Sequence, residues 1–123
     1  MLPAIIKHAR FGGLFLLKRE SEMEGFEKVL ENGITIGGIT YRVQIVEQTP
    51  SDEIGSVDYT RNLIILERCD LQRMWETLLH EITHIILYHA GYIEHDEKLV
   101  GTVSHGLMAM LMQNKEVFRK LCE

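Results

Sequence analysis

The stretch from residue 71 to residue 90 most constrains what this chain can fold into. Leu71, Met74, Trp75, Leu78, Leu79, Ile82, Ile85 and Ile86 recur at helical intervals, the spacing that gathers side chains along adjoining strips of an α-helix. The apolar strip is wider than one face, so the helix is expected to run through the centre of a domain. Asp70 is a suitable N-cap for it, and Gly91 can close it at the C′ position. Set among these apolar residues are His80, Glu81 and His84, in the order HExxH. A four-residue step puts the two imidazoles on one side of the helix. Burying two histidines and a glutamate without partners is costly, so the pattern demands something for them to bind.

Two imidazole nitrogens one helical turn apart suit a zinc ion, and a catalytic zinc takes three protein ligands while keeping a fourth position for water. Glu81 projects beside such an ion. From there it can take a proton from water whose pKa the metal lowers from about 15.7 to roughly 7, and pass it to a leaving group. The chemistry expected of the motif is zinc-assisted hydrolysis, with His80 and His84 as metal ligands and Glu81 as general base.

The third ligand must come from elsewhere. Glu97 is the choice, because it opens the next helix thirteen residues after His84 and shares a stripe with Gly101 and Ser104, whose small side chains let two helices approach. Asp96, His95, His89 and His105 are its competitors. Asp96 is more simply an N-cap, which leaves Glu97 free. His89 follows His84 by five residues, roughly 140° around the helix, and should point away. His105 reads first as an ordinary helical histidine, with hydrogen bonding to a developing oxyanion as its other role. Tyr88, Tyr92 and Trp75 are read as packing residues.

The remaining sequence supplies a small sheet. Residues 34–36, Gly37-Gly38 and residues 39–47 form a β-hairpin pattern, in which Ile39, Tyr41, Val43 and Ile45 alternate with Thr40, Arg42 and Gln44. Residues 55–59 and 63–67 read as two further strands, and the tight connections predict a mainly antiparallel sheet. A helix is expected over residues 21–30, ending at Asn32-Gly33. Another runs from about residue 97 to Met112 with Leu99, Val103, Leu107, Met110 and Leu111 as its core stripe. The fold class is thus α+β: a small, mainly antiparallel sheet packed on a central HExxH helix and a C-terminal helix. Residues 1–22 are read as an N-terminal extension or helix, and residues 23–123 as the single compact domain.

Composition narrows the partners. The 123 residues carry a formal net charge of −5, and the first 22 hold four Lys/Arg against two Glu, which leaves the main body strongly acidic. An acidic body argues against nucleic acid as the main partner. Cys69 and Cys122 lie far apart with no CxxC, so both are read as reduced thiols of a cytoplasmic protein, and no disulfide framework or thiolate zinc site is expected. The apolar run before Lys18 is interrupted by Lys7, His8 and Arg10, and its remainder is too short for a membrane span.

With His80-Glu81-Ile82-Thr83-His84, a second helix bearing Glu97 and a sheet placed before them, the chain resembles the zincin-like metallopeptidases of the gluzincin type. More closely, residues 77–84, with Glu97-Lys98-Leu99-Val100 and Ser104-His105-Gly106-Leu107, look like the small HExxH proteins of phages and bacteria related to the ImmA/IrrE metallopeptidases. The resemblance covers residues 34–121. It implies a zincin-like fold, zinc held by His80, His84 and Glu97, Glu81 as general base, and a protein or peptide substrate. Uncharged residues at Ile82, Thr83, Ile85 and Ile86 fit the peptidase form of the motif. Two alternatives of other classes stand beside it: a non-catalytic zinc-binding interaction module, and a metal-dependent hydrolase or ribonuclease acting on a non-peptide bond.

Overall fold

The computed structural model describes residues 14–123, with side chains from Glu20 onward. What was expected of residues 1–13 lies outside the described residues. The chain divides into two compact units, one ending at Asn32 and the other spanning Gly33–Glu123. In the first, helix α1 covers Leu14–Val29, so the helix expected over residues 21–30 starts earlier than its pattern suggests and ends at Val29, with a turn leading to Asn32.

The second unit is α+β. Its strands are β1 (Ile34–Ile36), β2 (Ile39–Val46), β3 (Gly55–Asp58) and β4 (Leu63–Glu67), followed by helices α2 (Leu71–His89), α3 (Glu97–Gln113) and α4 (Lys115–Leu121). Gly37 and Gly38 both have positive φ, 57° and 83°, which is what a two-residue type I′ hairpin turn needs and only glycine supplies without strain. On β2, Tyr41 is buried and Val43 and Ile45 are half-buried while Arg42 and Gln44 face solvent, as the alternation predicts, but Ile39 beside the turn is exposed.

The sheet is mixed, not mainly antiparallel. Its strand order is β1-β2-β4-β3. The two hairpins β1/β2 and β3/β4 are antiparallel, but β2 and β4 pair in parallel, Arg42 opposite Leu63 through Val46 opposite Glu67. Tight turns dictate the direction of strands consecutive in sequence. They say nothing about a pair brought together when the loop after β2 carries the chain past a vacant place that β4 later fills. As the inner strand of that arrangement, β4 has Leu63, Ile64 and Leu66 all buried, the two-sided burial that parallel pairing favours.

Packed on the sheet, α2 contributes Met74, Leu78 and Ile85, each at most 2% exposed, and they meet Tyr41, Leu63, Ile64 and Leu66 in a core that Val100 of α3 completes. Each large aliphatic group so buried contributes roughly 1.5–3 kcal/mol. The polar residues sunk in this helix are satisfied locally: Thr77 and Thr83 donate to the carbonyls of Arg73 and Leu79, both at 2.8 Å. Asp70 caps α2 by accepting from the Arg73 N–H at 3.0 Å.

α3 contradicts the expected stripe. Leu99, Val103, Leu107, Met110 and Leu111 are all exposed, Leu99 by 57%, whereas Val100 and Ser104 are the buried pair. The helix therefore packs on α2 through a narrow Val100–Ser104 contact strip, one position round from the bulkier residues. Gly101 is not the point of close approach either, since a Cβ there would meet nothing within 4 Å; Ser104, 1% exposed and bonded to the Gly101 carbonyl, fills that place. None of the described helices is long and apolar enough to cross a membrane.

Candidate metal centre

The HExxH segment lies midway along α2, where His80 and His84 leave the buried side of the helix and open into a cleft of about 850 Å³. Loop and strand residues from Asp52 to Val57 form one wall, and α3 brings Glu97 and His105 to the other. Asp96 places Glu97 by capping α3: its carboxylate accepts from the N–H groups of Lys98 and Leu99 at 2.9 and 3.3 Å, which starts the helix at Glu97 and spends Asp96 on the backbone. The N-cap expectation for Asp96 holds, and Glu97 is left free.

Its carboxylate then reaches both imidazoles. Glu97 Oε2 lies 3.0 Å from His80 Nε2, and Oε1 lies 3.0 Å from His84 Nε2. One ligand atom from each of His80, His84 and Glu97 falls within 4.8 Å of the others. Ligands of a tetrahedral zinc at bond lengths near 2 Å stand about 3.3 Å apart, so small adjustments would seat an ion among them. Two imidazole nitrogens and one carboxylate oxygen also suit a borderline-soft divalent metal. The residues present fit a metal of the zinc type.

Charge is distributed accordingly. Burial of Glu97 is outweighed by the hydrogen bond from His80 and the neighbouring imidazoles, which together hold its carboxyl below the usual value. Burial lowers the pKa of His84, offset in part by Glu97. Both shifts favour the forms that bind metal, a carboxylate and a neutral imidazole.

Glu81 occupies a different environment. It is 7% exposed and accepts no hydrogen bond from the described residues. Burial first, then the negative charges of Glu97 and Glu53, push its pKa up to about 7. A carboxyl group poised there exchanges a proton readily near neutral pH. Gly55, the first residue of β3, backs onto it: a Cβ at this position would stand 3.2 Å from Glu81 Oε1.

The other histidines take separate roles. His89 accepts or donates at Nε2 with the Tyr41 hydroxyl at 2.8 Å, well away from the cleft, as its angular position predicts. His95 lies outside the clustered trio and meets His84, with Nδ1 to Nδ1 at 2.7 Å. His105 lines the cleft and lies outside the trio of clustered ligand atoms. Tyr59 was not singled out from the sequence; it follows β3, lines the cleft and stacks on Tyr88 with ring centroids 4.0 Å apart. Its hydroxyl, raised to about 12 by burial and then by Glu81, stays protonated.

Compared with known proteins, the chain matches no family model, no curated protein and no solved structure.

Proposed function

We propose that this chain is a zinc-dependent metallopeptidase with a zincin-like arrangement, in which His80, His84 and Glu97 hold the ion and Glu81 is the general base. The observation that carries it is the meeting of Glu97 with both histidines of the motif while Glu81, buried and without a hydrogen-bond donor among the described residues, faces the same cleft. A metal that only fastened α2 to α3 would have no use for such a carboxylate, which sets the interaction-module alternative behind this one. A ribonuclease would draw on further histidines; His95 and His105 do line the cleft, but His89 is bonded to Tyr41 instead, and the acidic body disfavours a phosphate backbone as substrate.

When bound, zinc supplies Lewis acidity toward water and toward a peptide carbonyl. Glu81 takes the proton from water entering the cleft and returns it to the departing amine, a two-way transfer that a pKa near 7 serves. β3 offers the backbone for an extended peptide. It is the outer strand beside the cleft, whereas β4 is paired on both sides and has no free edge. The Glu67 N–H donates to the Ile54 carbonyl at 2.8 Å, and the alternation of an antiparallel ladder then turns the amides of Gly55 and Val57 outward.

The test is to incubate zinc-loaded protein with a denatured protein such as casein and follow the appearance of new amino termini. Cleavage that falls 100- to 10,000-fold in Glu81→Gln, the usual range for general-base loss, supports the proposal. Absence of cleavage by the zinc-loaded wild type, or equal turnover by the variant, contradicts it.

A further inference from the structure

Between Lys98 and Lys115 the chain carries no Asp, Glu, Lys or Arg, yet most of this stretch of α3 lies at the surface. Leu99, Val103, Leu107 and Met110 are each between 38% and 57% exposed, and α4 adds the exposed Val117 and Leu121. An apolar helix face of this extent marks a place where another surface docks.

Its spacing names the kind of surface. Leu99, Val103, Gly106 and Met110 follow one another at intervals of four, three and four, the heptad period of a seam between two helices. At about 100° per residue the four fall in one strip, roughly a third of a turn round from the Val100 and Ser104 strip that meets α2. Leu107 borders it. None of these five residues lines the cleft, whose α3 wall is Glu97 and His105.

Gly106 is the informative member. Glycine weakens a helix interior relative to alanine, and the rest of the chain does not need the space, since a Cβ at Gly106 would meet nothing within 4 Å. A second helix can use it.

The helix that fits is a second copy of α3. Laid antiparallel across a two-fold axis with alternate seam positions facing, Val103 of each copy seats over Gly106 of the other, and Leu99 meets Met110. Large faces small on both sides of the axis. No charged side chain enters this seam, so identical copies do not repel one another there. The extent is also sufficient: the exposed parts of the six apolar residues named above come to roughly 500 Å² per copy, and each partner of a standard interface gives about 800 Å², a little over half of it apolar.

We propose that this chain pairs with a second copy of itself through the Leu99, Val103, Gly106 and Met110 face of α3, with the two helices antiparallel. The pairing does not depend on the metal assignment.

Sedimentation equilibrium of the full chain over a range of concentrations, with and without zinc, tests it. The wild type is expected as a dimer at micromolar concentrations in both conditions. Val103→Glu sets a carboxylate in the seam and should weaken association about 100-fold. Gly106→Ala favours α3 by its helix propensity but raises a Cβ where Val103 of the other copy seats, and should weaken the dimer about tenfold. Circular dichroism checks that each variant keeps its helix content, and if Val103→Glu failed to fold, Gly106→Ala would still decide. A wild type that is monomeric at every concentration overturns the proposal, as does a dimer whose affinity the folded variants leave unchanged, because its interface then lies elsewhere.

Discussion

Gly55 stands directly against Glu81: a Cβ added to Gly55 would lie 3.2 Å from the Glu81 Oε1 atom and would clash with Cγ2 of Thr77. The contact sets the first residue of β3 over the motif glutamate. Thr77 cannot swing aside freely, because its hydroxyl is bonded to the Arg73 carbonyl at 2.8 Å. Gly55→Ala is therefore expected to destabilise the fold by about 1–3 kcal/mol, the range for overpacking a tight contact, and to shift Glu81. Thermal denaturation reads the first effect. A variant as stable as wild type would show that β3 is not held this closely.

Glu81 makes a pH dependence of known sign. Its pKa is about 7 in the fold against an ordinary 4.5, so the folded protein holds this proton more tightly than the unfolded chain does. Stability owed to the group is complete below pH 4.5 and is lost as pH rises toward 7, on the order of 3 kcal/mol in all. Glu81→Gln should remove that decline. Denaturant unfolding of metal-free wild type and variant between pH 4.5 and 8 checks it, and parallel pH profiles would refute it.

His89 separates fold from site. Its bond to Tyr41, whose side chain is 1% exposed, ties the C-terminal end of α2 to β2. His89→Ala strands the Tyr41 hydroxyl and should cost about 1–3 kcal/mol, while zinc affinity stays at the wild-type value. A loss of zinc binding in this variant, with the fold intact, would mean that the ligand set has been misassigned.

The edge of β3 should matter to substrate and not to metal. Val57→Pro removes an outward N–H from an outer strand, where proline is tolerated, and leaves the ladder to β4 in place. Peptide binding to a Glu81→Gln background is expected to weaken at least tenfold with zinc content unchanged, as read by fluorescence anisotropy of a labelled peptide. Unaltered peptide affinity would remove β3 from the binding site.

Much of the site was legible because it is local. HExxH spacing, the Asp70 and Asp96 caps and the glycines at 37, 38 and 91 each act within a few residues, and helix or turn geometry converts them directly into position. Glu97 was accessible for the same reason, since Asp96 fixes where α3 begins. What escaped is non-local. Nothing near β4 announces that it pairs in parallel with β2, because that pairing depends on where the loop after β2 delivers the chain. The stripe on α3 misleads because apolar bulk is not in itself a sign of burial: the contact with α2 needs a small residue, Ser104, beside Val100. Gly55 and Tyr59 carry no signal of their own; they matter only through the side chains of α2 that the fold sets against them.

The central claim is that His80, His84 and Glu97 hold one zinc ion between α2 and α3, and metal content tests it most directly. Elemental analysis of purified wild type, His84→Ala and Glu97→Ala, each checked for folding by circular dichroism, should give about one zinc per chain in the wild type and a small fraction of that in both variants. A folded wild type that takes up no zinc when it is supplied, or a Glu97→Ala variant that keeps a full equivalent at wild-type affinity, would contradict it.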